Sequence, residues 1–216
     1  MNVRRRFLPF AVLGLSLATA VPASAHRLDE YLQATRLSID LDRVSLEMDL
    51  TAGVAVAPEV FAWIDTDRDG HISHVEGQAY ARQLLRSIEL SVDDRPVLIT
   101  LDEIQFPQWR ELALGTGTIR ARATAGFAAA GAGRHHVSYV NTHRPETSVY
   151  LVNTLVPADP RIQIGGQRRD RTQHAVTVDY TVADASWART WSLVAALAMA
   201  VVLGATRRPR TNPPSS

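Results

Sequence analysis

Residues 65–76 constrain the chemistry of this chain more than any other stretch. Hard divalent cations take about six to eight oxygen ligands, and alternate residues of a short loop can present oxygens to one centre. The sequence of this stretch is DTDRDGHISHVE, which places carboxylates at its first, third, fifth and twelfth positions: Asp65, Asp67, Asp69 and Glu76. Gly70 stands at the sixth position, where a sharp turn is needed that a Cβ resists. The spacing predicts an oxygen-lined cation site.

The pattern resembles the calcium-binding loop of the EF-hand family. The resemblance implies a Ca²⁺ ion held by the three aspartates, with Glu76 closing the shell through both carboxylate oxygens. It also implies that His71 contributes its backbone carbonyl rather than its imidazole, and that Ser73 reaches the ion directly or through a water. The implied metal ligands are Asp65, Asp67, Asp69, His71, Ser73 and Glu76.

The flanking residues predict helices on both sides of this loop. Residues 57–64 read as a short helix with Pro58 in its first turn. Ser73 and Glu76 have the spacing of a capping box, which predicts a second helix running to about residue 87. EF-hands usually work in pairs, and this chain has one. Ile72 therefore either pairs across a homodimer or packs against its own chain, and we favour the second.

Outside the predicted helix-loop-helix at residues 57–87, apolar residues alternate with polar ones, as in half-buried strands. The fold class predicted is mainly β: an antiparallel β-sandwich with an inserted helix-loop-helix EF-hand and one C-terminal transmembrane helix. Residues 125–133 and 157–170 are predicted to be loops or turns. The predicted strands are residues 37–41, 44–50, 88–92, 97–104, 118–127, 135–142, 148–156 and 175–182.

The two ends of the chain carry targeting and membrane signals. Residues 1–25 have three arginines, an apolar run and an Ala-Ser-Ala cleavage site, which predicts a secretory signal peptide of either the general or the twin-arginine pathway. Residues 186–206 predict a transmembrane anchor with tryptophans at one end and arginines at the other, and residues 207–216 a cytoplasmic tail. The alternatives for the apolar segment are a buried C-terminal helix and a sorting signal removed after export.

These signals predict a single-pass protein of a bacterial inner membrane. The main domain, residues 26–185, would lie in the periplasm or extracellular space, and the C-terminal helix would contact the lipid bilayer. The chain has 23 basic and 22 acidic residues, but six arginines lie at its two ends, so the middle is acidic. An acidic domain argues against a nucleic-acid partner. There is no cysteine, so disulfides and thiolate sites are excluded.

Histidines offer a second metal hypothesis. Signal cleavage would make His26 the first residue, where a free amine and an imidazole can chelate copper, nickel or cobalt. The alternative function is therefore an accessory protein for transition-metal handling. His135 and His136 are adjacent on a predicted strand and point to opposite faces. Together with His143 they are expected to be surface residues that form no common site.

A second, looser resemblance concerns the start of the mature chain, His26 to Leu32, and the Pro-Ala-Asp-Pro-Arg segment at residues 157–161. Both are similar to the extracytoplasmic N-terminal region of bacterial membrane proteins of the HupE/UreJ type, which are associated with nickel or cobalt uptake. This chain has one predicted helix where that family has several, so permease activity does not carry over. The resemblance implies an accessory or sensing domain beside a membrane transporter.

The function predicted from the sequence is calcium binding by a single EF-hand, with a structural or interaction role. No hydrolase, zinc-protease or phosphate-binding motif occurs in the chain, and we predict that it is not an enzyme.

Overall fold

The computed structural model describes residues 29–184, which form ten strands and three helices. The helices are α1 (Ala57–Ile64), α2 (His74–Arg86) and α3 (Trp109–Ala113). The strands are β1 (Tyr31–Ile39), β2 (Arg43–Ala52), β3 (Ile88–Val92), β4 (Arg95–Pro96), β5 (Ile99–Gln105), β6 (Thr118–Gly126), β7 (Gly133–Asn141), β8 (Ser148–Thr154), β9 (Ile162–Arg169) and β10 (Ala175–Val182).

The strands form two five-stranded sheets, in the orders β5-β6-β2-β1-β8 and β4-β3-β7-β10-β9. Both sheets contribute to one hydrophobic cluster, which includes Leu37 and Leu46 of the first sheet and Val137 and Val178 of the second. The two sheets therefore share a core, and the prediction of a mainly β chain is confirmed.

The hairpin of β1 and β2 shows how the sequence pattern produces this arrangement. Leu37 lies opposite Leu46, and every second residue of β1 is buried from Tyr31 to Ile39. Successive side chains of a strand point to opposite faces, so an alternating sequence buries one face and exposes the other. The hairpin predicted from this alternation is confirmed.

One strand pair departs from the antiparallel prediction. β8 runs parallel to β1, with Tyr31 opposite Ser148 and Leu37 opposite Thr154. The chain reaches β8 from β7, which belongs to the other sheet, so no tight turn joins β8 to β1 and parallel pairing is possible. The prediction of an entirely antiparallel fold is wrong at this pair.

β9 and α3 were not expected from the sequence. β9 occupies part of the segment predicted as loop at residues 157–170, so that prediction is wrong there. β9 is an edge strand in which six of eight residues are exposed, and Gly165 and Gly166 interrupt any apolar alternation. α3 was missed because five residues are too few to show a helical period.

The helical unit lies between β2 and β3 in the chain, as predicted. α1 has proline in its first turn and buries Ala57, Val60 and Ile64, whose spacing of three and four places them on one face. α2 begins with the predicted capping box and buries Tyr80 and Leu84 on its inner side. It ends at Arg86, and Ile88 begins β3.

Several predicted features lie outside the described residues: the signal peptide, His26, the anchor at residues 186–206 and the tail. They stay predictions. Among residues 29–184, no helix combines the length and the apolar character that crossing a membrane requires.

Candidate metal centre

The acidic loop, residues 65–76, joins the two helices directly. Asp65 is the C-cap of α1, and its backbone N–H donates to the carbonyl of Phe61. Ser73 is the N-cap of α2, and Glu76 lies in the first turn of that helix. The first and last acidic residues of the loop are thus fixed by helix ends, which is the arrangement that the predicted helix-loop-helix requires.

Three carboxylates of the loop converge. Oxygens of Asp65, Asp67 and Glu76 all lie within 4.8 Å of one another. Calcium–oxygen distances are about 2.3–2.6 Å, so two ligands on opposite sides of one ion are at most about 5 Å apart. Asp65 and Glu76 are buried and Asp67 is exposed. The separation and the all-oxygen donor set both fit a single hard cation.

The backbone of the loop turns through two residues with positive φ. Gly70 has φ of +83°, and no atom would lie within 4 Å of a Cβ added there. Glycine is therefore needed at this position for its conformation and not for space. Arg68 also has a positive φ, of 63°. The turn brings the backbone N–H groups of Asp69 and Gly70 onto the Asp65 carboxylate, at 3.1 and 3.0 Å.

Glu76 is the most heavily bonded group in the loop. One of its oxygens accepts from the N–H and hydroxyl of Thr66 and from the N–H of Asp67, and the other from the N–H and hydroxyl of Ser73. The bonds from the Ser73 backbone and side chain contribute most to lowering the pKa of Glu76, to about 2. Glu76 is therefore ionised across the physiological range and holds the two ends of the loop together.

The pKa of Asp67 reflects the repulsion among the carboxylates of the loop. The backbone N–H of Asp69 donates to Asp67 and favours its ionised form. Desolvation and the negative charges of Asp69 and Glu76 outweigh that bond, and the pKa of Asp67 is raised. A cation bound among these oxygens would relieve this repulsion.

The remaining predicted ligands are less tightly placed. The Asp69 carboxylate lies outside the convergent group and accepts from the backbone N–H of His71 at 2.8 Å. His71 is exposed. The Ser73 hydroxyl donates to Glu76 at 2.8 Å. Coordination by Asp69, His71 and Ser73 stays a prediction.

Ile72, at the eighth position of the loop, is partly buried and packs against the hydrophobic cluster of its own chain. This contact is the one we favoured from the sequence, where pairing across a homodimer was the alternative.

A second polar cluster, the buried network, lies behind the helices and was not predicted. The hydroxyl of Tyr80 in α2 is 2.6 Å from the hydroxyl of Tyr31 and 3.2 Å from Nε2 of His143. Asn141 donates to the Gln33 side chain and accepts from the His143 N–H, and Gln33 donates to the His143 carbonyl. All five side chains are buried. The expectation that His143 is a surface residue is wrong.

The buried network and Arg144, the residue after His143, contact both helices that flank the acidic loop. Tyr80 belongs to α2, one turn after Glu76. The guanidinium carbon of Arg144 lies 4.3 Å from the ring centroid of Trp63, which is two residues before Asp65. Tyr31 also contacts Trp63 edge to face, with ring centroids 6.0 Å apart. The start of β1 therefore contacts both helices.

His135 and His136 behave partly as expected. Their strand neighbours are Tyr180 and Asp179, which face opposite sides of the sheet, as predicted for adjacent residues. Both imidazoles nevertheless contact the turn between β3 and β4: Nδ1 of His135 is 2.7 Å from Asp93, and Nε2 of His136 is 3.0 Å from Asp94. Neither contacts His143, so the three histidines form no common site.

The predicted second metal site depends on His26, outside the described residues. The transition-metal hypothesis stays a prediction. It is tested by adding one residue before His26, which would leave metal uptake unchanged if the N-terminal chelate has no role.

Comparison with known proteins identifies no relative: no family model, no curated protein and no solved structure matches this chain.

Proposed function

We propose that this chain binds one calcium ion through the loop at residues 65–76. The observation that carries the proposal is the convergence of Asp65, Asp67 and Glu76 oxygens within 4.8 Å, in the register of an EF-hand loop. In this proposal the ion is held in a β-sandwich domain outside the cytoplasm, which a C-terminal helix tethers to the membrane. The role is binding and not catalysis.

The donor chemistry favours calcium over other cations. Every side-chain donor in the loop that the resemblance assigns to the ion is an oxygen, and the His71 imidazole is not among them. Hard oxygen donors suit calcium and magnesium, whereas copper and nickel favour nitrogen ligands. Magnesium demands a near-ideal octahedron and gives up its waters reluctantly. A twelve-residue loop closed by a glutamate with both oxygens suits the larger and less rigid calcium shell.

A structural role fits the surroundings of the loop better than a regulatory one. Ile72 packs on the core, and Tyr80 and Trp63 tie both helices to β1 and to Arg144. Extracellular calcium modules commonly bind with Kd of about 10⁻⁴ to 10⁻³ M. At such affinity the loop would stay filled where calcium is abundant, and the ion would act as a permanent clamp.

Titration calorimetry of the purified protein with calcium tests the proposal. We expect one ion per chain for the wild type and no measurable heat for Glu76→Gln. Glu59→Gln, an exposed glutamate in the first turn of α1, is the matched control and should bind as the wild type does. Asp67→Asn is a second variant at an exposed ligand, with weaker binding expected. Absence of heat in the wild type would refute the proposal.

A further inference from the structure

The helix pair that carries the acidic loop has an internal partner. Residues 106–112, here called the covering segment, follow β5 and include most of α3. Phe106 lies against α2: its ring is 6.0 Å from the Tyr80 ring, centroid to centroid, and a Cβ added at Gly77 would lie 2.8 Å from Phe106 Cε2. Gly77 thus allows a closer approach of this ring than any other residue would.

The same segment also contacts α1. The Trp109 ring lies 4.6 Å from the Phe61 ring, centroid to centroid. Leu112 is 1% exposed and belongs to the main hydrophobic cluster. The covering segment therefore contacts both helices through large apolar side chains, and it inserts one of them into the core.

The covering segment is a defined structure and not a loose loop. At the start of α3 the backbone N–H of Gln108 donates to the Glu111 carboxylate at 3.1 Å. Gly115 follows α3 with φ of +68°, and the N–H groups of Gly115 and Gly117 donate to the carbonyls of Leu112 and Glu111. A Cβ at Gly117 would lie 2.7 Å from the backbone nitrogen of Leu112. These contacts hold residues 107–117 together as one compact turn.

The contacts of the covering segment lie next to the proposed ligands. Phe61 is one helical turn before Asp65, and Gly77 is the residue after Glu76. An ion coordinated by Asp65 and Glu76 would fix the end of one helix relative to the start of the other. The surfaces that Trp109 and Phe106 contact would be fixed by the same bonds.

We propose that the covering segment is the partner of this calcium loop, and that calcium binding orders the segment instead of exposing a surface for another protein. The inference rests on the calcium binding proposed above and adds what the ion acts on. In sensor EF-hands calcium opens the helix pair and exposes an apolar groove. Here the helix pair already contacts the rings of Phe106 and Trp109, so opening would have to displace them.

Hydrogen exchange of the full-length protein, followed by mass spectrometry, tests the proposal. Exchange is compared in saturating calcium and in a calcium chelator, for peptides covering the loop and residues 105–117. We expect calcium to slow exchange in both. At calcium one hundred times Kd the slowing reaches about 100-fold for openings that release the ion.

Three results would overturn it. Faster exchange in residues 105–117 with calcium would mean that the segment is released, as in a sensor. Slower exchange in the loop alone would mean that the segment is not coupled to the ion. No change in either region would refute calcium binding itself, and the coupling with it. The loop peptide thus distinguishes failure of the inference from failure of the proposed function.

A glycine substitution tests the contact while the ion stays bound. Gly77→Ala improves helix propensity but places a Cβ against the Phe106 ring. We expect exchange in residues 105–117 to be several-fold faster than in the wild type, on the scale of local opening, with calcium present. Gly126→Ala, where no atom lies within 4 Å of the added Cβ, is the matched control and should leave that exchange unchanged. Equal exchange in both variants would overturn the assignment.

Discussion

The acidic loop and the buried network are both clusters of polar side chains, but they are built in opposite ways. The hydrogen bonds of the loop join residues at most ten positions apart, and many of its atoms face solvent. Apart from the bond between Asn141 and His143, the bonds of the network join residues 49 to 110 positions apart. Its side chains are buried. Local spacing therefore specifies the loop, whereas only the assembled fold specifies the network.

The two regions also differ in net charge and in what balances their polar groups. The loop concentrates four carboxylates and, in our proposal, needs a cation to balance them. The network contains no ionised group at neutral pH among its five side chains, and its members satisfy one another. Stability that comes from the loop should thus depend on calcium, and stability that comes from the network should not.

The largest effect is expected from Gln33→Leu. The change removes bonds to the His143 carbonyl, the Ser148 hydroxyl and Asn141, and it leaves the Asn141 amide without this acceptor. Each net hydrogen bond is worth about 1 kcal/mol and a stranded buried group costs about 1–3 kcal/mol, so we expect the free energy of unfolding to fall by about 3–4 kcal/mol. Urea denaturation measures it, and the loss should be equal with and without calcium.

The matched control is Gln163→Leu, at an exposed position of β9. Its effect should stay within about 0.5 kcal/mol of zero. If both leucine variants were equally stable, the buried network would contribute nothing to the fold.

The second prediction uses pH. Burial, followed by the charge of Arg144, lowers the pKa of His143 from 6.5 to about 4. A histidine with a depressed pKa contributes its stability above its unfolded value of about 6.5, and loses it as pH falls towards 4. The full shift corresponds to about 3 kcal/mol. The free energy of unfolding should decline between pH 6.5 and 4.

His143→Gln isolates this effect because glutamine does not titrate and can still bond to Tyr80. The difference between the two proteins should narrow as pH falls, since only the wild type loses stability through this group. Parallel pH curves for wild type and variant would contradict the assignment.

The contrast between the two regions explains how much the sequence could predict. The loop, its capping box and the two flanking helices were predicted because each depends on residues a few positions apart. β9 was not, because an edge strand with two glycines shows no alternation. The network left one trace in the sequence: Gln33 occupies an inward position of β1, where an apolar residue is expected. Its partners could not be identified, since the pairing of β1 with β8, and the packing of β1 against the sheet that contains β7, depend on the whole topology.

The third prediction concerns the loop. Calcium at one hundred times Kd should raise the free energy of unfolding of the wild type by about 2.7 kcal/mol. Asp67→Asn should reduce this gain while changing the calcium-free stability little, because Asp67 is exposed and asparagine keeps an acceptor for the Asp69 N–H. Asp102→Asn is the control at an exposed acidic residue of β5. Calcium-independent stability of the wild type would remove the proposed difference between loop and network.

The last prediction has the smallest expected effect. It tests whether burial or long sequence separation gives the buried network its stability. His135 and Asp93 are 42 positions apart, like residues of the network, but Asp93 is 43% exposed. The hydrogen bond that the His135 imidazole donates to the Asp93 carboxylate does most to raise the pKa of His135. The contact therefore stabilises fully below about pH 6.5 and is lost as pH rises through the folded value. Asp93→Asn should lower the free energy of unfolding by less than about 1 kcal/mol at pH 6, and by less still at pH 9.

The control is Asp94→Asn, at a 90% exposed carboxylate in the same turn, which should cause no loss of stability measurable by urea denaturation. A loss at Asp93 as large as that of Gln33→Leu would mean that long-range pairing, and not burial, gives the network its stability.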